Sequence, residues 1–279
     1  MPGVRIVTDS ACDLTAAEAA ELGVTIVPLT IRFGDDELTD REQLSVEDFY
    51  ARMATDDALP ETAAPAPGQF EAAFRAALDD GADAVVCIDL SSQLSATMQS
   101  AQNGAKALEG ADVRVVDSRS ITSGLGTIVL RAATAARDGA SADEVVALVE
   151  DLRPRTRVFG ALNTLDNLKK GGRIGGAQAM LGSMLSVKPV IDISTGVVEQ
   201  AGKPRTRRKS LEWLRDKLFS EGDVEGLCIS HGLADDVDDF LAMIAPRFGP
   251  DQYRTGTIGA VIGTHGGPAI IGITYLTPA

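Results

Sequence analysis

Short apolar runs that end in hydroxyls and aspartate do most to narrow the fold of this chain. Residues 4–7 lead into Thr8-Asp9-Ser10, 84–88 into Asp89-Leu90-Ser91-Ser92, 113–116 into Asp117-Ser118, and 226–229 into Ser230-His231. Runs this short, bounded by turn-forming residues, read as buried strands. Helix-like stretches lie between them at 15–22, 46–53, 69–78, 95–108 and 142–152, with a longer helix reaching about 137 before Gly139. Residues 24–31 read as a further strand, and the stretch 60–68, rich in proline and alanine, reads as a loop. Strands alternating with helices predict βαβ units around a mostly parallel sheet.

The second half is less regular. Strands are expected at 158–162, 187–193, 226–229, 259–262 and 270–275, and helices at 165–170, 177–185, 207–219 and 237–245. Charge changes at the same place. Residues 1–150 hold 10 Lys/Arg against 26 Asp/Glu, whereas 151–217 hold 14 against 6. We therefore expect two α/β domains, 1–155 with a mostly parallel sheet and 156–279 with a mixed one, and a ligand between them.

Composition excludes several classes. A hydrophobic fraction of 44% and a mean hydropathy of +0.05 supply ample core, unlike a disordered tail. The most apolar stretch, 256–273, is interrupted by glycines, Pro268 and His265, so no membrane-spanning segment is expected. A net charge of −14 argues against nucleic acid as a general partner. Three widely spaced cysteines argue against a disulfide framework or zinc site. The first residues lack the basic and apolar regions of a signal peptide, so a reducing, cytoplasmic setting is expected.

In open α/β sheets, ligands bind beyond the carboxyl ends of the strands, where these hydroxyls and aspartates would gather. Each could equally be only a helix cap. Ser92 and Ser95, before the helical run at 96–108, can both cap it and offer an anion its free N–H groups. Neither a phosphate-binding P-loop nor a GxSxG elbow is present. The two histidines, His231 and His265, leave a Ser/His hydrolase open. Gly171-Gly172-Arg173 projects an arginine suited to carboxylate or phosphate, or to a surface ion pair. Ala177, Met180, Leu181, Met184 and Leu185 form an apolar stripe, either plain core or a wall for a flexible apolar ligand. Lys203, Arg205, Arg207, Arg208 and Lys209 crowd positive charge at a helix start, where the macrodipole disfavours it.

Five segments together resemble the bacterial DegV family. Thr8 to Leu14 looks like its TDSxxDL opening, and Ser91 to Thr97 like SSxLSGT with Ala96 for glycine. Asp117 to Gly126 matches DSxxxSxGxG, and Leu168 to Ile174 matches LxxGGRI. Thr264 to Pro268 resembles THxGPG, with Ala269 replacing the last glycine. The resemblance implies a carrier without catalytic activity, cofactor or metal. It would hold a palmitate-like fatty acid between two domains and present it to a separate fatty acid kinase subunit, which forms acyl phosphate for phospholipid synthesis. The carboxylate contacts would fall on Thr62, Ser95 (or Ser92) and His265. Thr62 is followed by Ala63 and Ala64, where the family has Ser and Gln. Arg173, brought to the interdomain cleft, would join Arg205, Arg207 and Arg208 in docking the kinase. An acyl-ester hydrolase and a non-catalytic interaction module are the alternatives.

Overall fold

The computed structural model describes residues 3–56, 59–180 and 187–279. Strand β1 (Val4–Asp9) turns into α1 (Ala16–Leu22), whose start is fixed by reciprocal bonds between Thr15 and Glu18. β2 (Thr25–Val27) lies beside β1. The single strand expected over 24–31 breaks there, because Pro28 has no N–H to give to a ladder. β3 (Thr30–Phe33) departs into a separate antiparallel sheet with β4 (Asp36–Thr39) and, after α2 (Val46–Thr55), with β5 (Glu61–Ala63). β5 lies in the stretch expected to be a loop, and its ladder sets Thr62 opposite Ile31.

Next come α3 (Pro67–Asp79), β6 (Ala84–Asp89), α4 (Thr97–Lys106), β7 (Val113–Asp117), α5 (Thr122–Arg137) and α6 (Ala142–Arg155). The sheet β2-β1-β6-β7 is parallel throughout. α6 passes directly into β8 (Thr156–Ala161), which is followed by α7 (Asp166–Lys170) and a tight turn over Gly175–Met180. Of the expected apolar stripe, Ala177 and Met180 are buried in that turn. Leu181, Met184 and Leu185 lie outside the described residues. β9 (Val190–Asp192), β10 (Glu199–Gly202), α8 (Arg207–Ser220), β11 (Glu225–His231), α9 (Val237–Ile244), β12 (Arg254–Thr257), α10 (Ala260–Gly266) and β13 (Ile271–Leu276) complete the order. Here the sheet runs β10-β9-β8-β13-β11-β12, antiparallel except between β11 and β12.

One expected strand is a helix. The run 259–262 opens α10, so His265 stands in that helix's last turn and not in a loop between strands. A four-residue apolar run cannot by itself distinguish the two structures. The helix start is settled from a distance, because Asp13 Oδ1 accepts the free N–H of Gly259 at 3.0 Å.

α3 and α4 cover one face of the parallel sheet through Phe70, Phe74 and Ala101. α8 and α9 cover the outer face of the mixed sheet through Leu214 and Phe240, in one cluster with Tyr275 of β13. α5 lies between the two sheets, and ten of its residues are buried. A Cβ on Gly126 would fall 2.6 Å from the Cys12 carbonyl, and one on Gly124 would fall 2.8 Å from Val158. Both glycines serve helix packing. The largest core cluster runs from Ile6 and Val86 to Val158 and Ile191, so the two sheets share one interior. Among the described residues no helix is long and apolar enough to cross a membrane.

Candidate ligand-binding site

Most polar groups at the strand ends are used within the fold. Thr8 Oγ1 donates to Ile88 O at 2.7 Å, Asp9 accepts from Ala11 N and Leu90 N, and Ser10 Oγ accepts from Leu29 N. Ser91 Oγ donates to Gly196 O at 2.5 Å, tying the two sheets together. Ser92, expected to face a ligand, is exposed and donates to Asp117 Oδ2 at 2.5 Å. It lines neither cavity described below, because Asp117 holds both its hydroxyl and its N–H.

A cavity runs between the sheets. Fourteen of its 24 lining residues are Leu, Ile, Val or Phe, drawn from both halves of the chain. Its empty volume is about 830 Å³. Thr62, Ser95, Arg173 and His265 also line it. Thr62, Arg173 and His265 line in addition an outer polar cleft with Glu61, Asn167 and Lys170. These three therefore stand where apolar interior meets water.

Each of the four is positioned by a different element. The β5 ladder sets Thr62, and α10 sets His265, bringing Thr62 Oγ1 and His265 Nε2 to 3.0 Å. Ser95 precedes α4, where its Oγ accepts from Thr97 N at 3.2 Å and lies 2.9 Å from Thr97 Oγ1. Arg173 Nε donates to Leu94 O at 3.1 Å and its Nη1 to Gly171 O at 2.6 Å. The arginine thus braces the turn that carries Ser95. The sequence placed Arg173 among docking residues; the structure sets it at the polar end of the cavity. The pair Gly171-Gly172 suits a helix stop and close backbone approach, and the structure shows what approaches Gly171. A Cβ there would lie 2.4 Å from His265 Nδ1, a constraint visible only once α7 and α10 pack together.

Electrostatics keep the histidine neutral. Burial, reinforced by the Arg173 charge, lowers its pKa from the ordinary 6.5 to about 4. Its Nδ1 is buried without a hydrogen-bond partner among the described residues. His231 accepts from Ala234 N through Nδ1 and does not line the cavity. Among the described residues no serine hydroxyl bonds to either histidine, and no grouping of His, Cys, Asp and Glu could hold a metal ion.

The basic cluster divides. Arg205 and Arg208 are exposed, and Arg208 pairs with Glu212. Arg207 is half-buried, bonded to both carboxylate oxygens of Asp236 at 2.8 and 2.9 Å and to the carbonyls of Ala161 and Ala269. The docking role expected for Arg207 is corrected on this ground, since its charge is used internally. None of the three lines the cavity or the outer cleft.

A mixed α/β protein with an apolar cavity and a polar mouth is the class that fold and site define. The chain belongs to the DegV family: the model of that family of uncharacterised proteins matches residues 3–278. A DegV domain-containing protein of Deinococcus radiodurans is 36% identical over 97% of each chain, and one of Halalkalibacterium halodurans 32% identical over 99% of each. Among solved structures, a fatty-acid-binding DegV family protein from Thermus thermophilus is 32% identical, with a TM-score of 0.90 over 99% of this chain and 100% of the other. A stearic-acid-binding protein from Eubacterium ventriosum is 26% identical, with a TM-score of 0.89 over 98% of each.

Proposed function

We propose that this chain is a carrier that holds one long-chain fatty acid in the cavity, with the carboxylate at the polar mouth. The observation that carries this is the placing of Thr62, Ser95, Arg173 and His265 at one end of an otherwise apolar space. Burying a 16-carbon chain at roughly 0.8 kcal/mol per methylene contributes about 11 kcal/mol before ordering costs. The carboxylate then needs only donors. Orphaned buried N–H groups are rarer than orphaned acceptors, which favours the His265 tautomer protonated on Nε2. That tautomer donates to Thr62 and leaves the threonine O–H for the carboxylate. Arg173 supplies the counter-charge. An imidazole with a pKa near 4 is poorly matched to general-base work at neutral pH, so the Thr62–His265 contact serves binding better than hydrolysis.

Residues 1–155 and 156–279 act as two domains, one around each main sheet, with the ligand between them. Through the outer cleft, the carboxylate remains within reach of a separate ATP-dependent kinase subunit, the partner that the family resemblance implies. Mass spectrometry of lipid extracted from the purified protein tests the carrier role, with a free fatty acid as the expected finding. Turnover of an acyl ester would favour the hydrolase, and a protein without lipid affinity the interaction module. Ser95→Ala removes one bond to a charged group and should weaken retention about tenfold or more, while the protein stays folded. Unchanged lipid content in that variant would remove Ser95 from the site.

A further inference from the structure

Five buried side-chain polar atoms have no hydrogen-bond partner among the described residues, and two of them belong to residues lining the cavity. One is His265 Nδ1, at the polar mouth. The other is Thr274 Oγ1, deep in the apolar part, on a residue 1% exposed. Strand alternation fixes its direction. Ile273 and Tyr275 of β13 enter the outer core cluster beneath α8 and α9, while Gly272 and Thr274 line the cavity. Neighbouring hydroxyls are already bonded: Ser230 Oγ lies 2.5 Å from Ser123 Oγ, and Thr122 Oγ1 donates to Asp13 at 2.6 Å. Away from the polar mouth, Thr274 carries the one cavity-lining hydroxyl without a hydrogen-bond partner among the described residues, where valine of the same shape would leave nothing unpaired.

Its depth can be placed. Ile270 packs near Gly266, next to His265, and Thr274 is four residues further along extended chain, about 14 Å away. An extended chain advances roughly 1.2 Å per bond, so for an acid whose carboxylate sits at Thr62 and His265 and whose chain is laid along β13, Thr274 falls at about the tenth to twelfth carbon. We propose that Thr274 is a specificity-determining residue for acyl chains that carry a hydrogen-bond acceptor, a hydroxyl or a double bond, at that depth. The inference rests on the fatty-acid reading above. An oxygen there accepts a full hydrogen bond, and a π bond accepts a weaker one. A saturated chain leaves the threonine unpaired.

The test compares binding of stearate, cis-vaccenate and 12-hydroxystearate to the delipidated protein and to its Thr274→Val and Thr274→Ser variants. The wild type should bind the hydroxy acid about tenfold or more tighter than stearate, with cis-vaccenate between them. Thr274→Val should reverse the preference, with the hydroxy acid weaker than stearate because its buried hydroxyl is then unpaired, and Thr274→Ser should keep the wild-type order. Equal binding of the three acids by the wild type, or an order that survives Thr274→Val, overturns the assignment. Failure of every acid to bind overturns the fatty-acid reading and this one with it.

Discussion

His265 and the aspartates of the interior respond to pH in opposite senses. The folded histidine titrates near 4 and its unfolded counterpart near 6.5, so between those values only the unfolded chain holds the proton. Its contribution is complete above about 6.5 and lost as the pH falls toward 4. Burial raises Asp9 to about 7 and Asp13 to about 6, and it raises Asp89 well above the usual carboxylate range. Asp9 and Asp89 end neighbouring strands of one ladder, in which Thr8 pairs with Ile88. Above 3.8 the folded state keeps protons there that the unfolded state has released, so this contribution falls as the pH rises. Melting temperature measured from pH 4 to 8 separates the two. His265→Gln should lose the decline on the acid side, and Asp89→Asn should gain stability at neutral pH and flatten that side. A wild-type profile in Asp89→Asn would show that Asp89 carries no such strain.

How an element meets its neighbour decided what could be read in advance. Three strands of the parallel sheet, β1, β6 and β7, were legible because each is a compact apolar run between helix-forming stretches, with β6 buried throughout. Helix α10 was not, because its start depends on Asp13, nearly 250 positions away in sequence, accepting from Gly259. Strand β5 was hidden for a similar reason: Glu61–Ala63 has little strand character of its own and exists through its ladder with β3. Ser95, Thr62 and His265 could still be named from motif order, but their convergence depends on these two misread elements. The end of α7 shows what such a junction requires. Gly171→Ala would drive a methyl into His265, break its bond to Thr62 and lower fatty-acid retention about tenfold or more. Gly172→Ala is the control. Gly172 has a positive φ but open space around it, so alanine there should cost stability of about 1 kcal/mol and leave retention unchanged. Lipid content and melting temperature of the two variants would decide. Normal retention in Gly171→Ala would refute the contact.

For the whole molecule, the lopsided charge is the feature most plainly written in the sequence. An acidic first half and a basic stretch over 151–217 place exposed Arg205 and Arg208 at the start of α8. Rim charges of this kind act mainly on the rate at which partners meet, and salt screens them. If the proposed kinase subunit docks on this face, reversing Arg205 and Arg208 to Glu should slow acyl-phosphate formation several-fold at low salt and leave lipid retention unchanged. An unchanged rate at low ionic strength would make them a solvated face. Arg207 belongs outside such a test, because its reversal would set a carboxylate against Asp236 and disturb the fold.

The cavity is not a groove added to a finished protein. Twelve of its lining residues, Leu90, Val158, Ile191 and Ile262 among them, belong to the main core cluster that both sheets share. On the carrier reading, an acyl chain in that space packs as part of the core, although it comes from outside the chain. Anything that binds only the native state raises its stability by mass action, and an unfilled apolar space lowers it. The emptied protein opens more often than the filled one and is cleaved sooner by proteases that act on the open state. On the carrier reading, its lifetime would then follow the supply of its cargo.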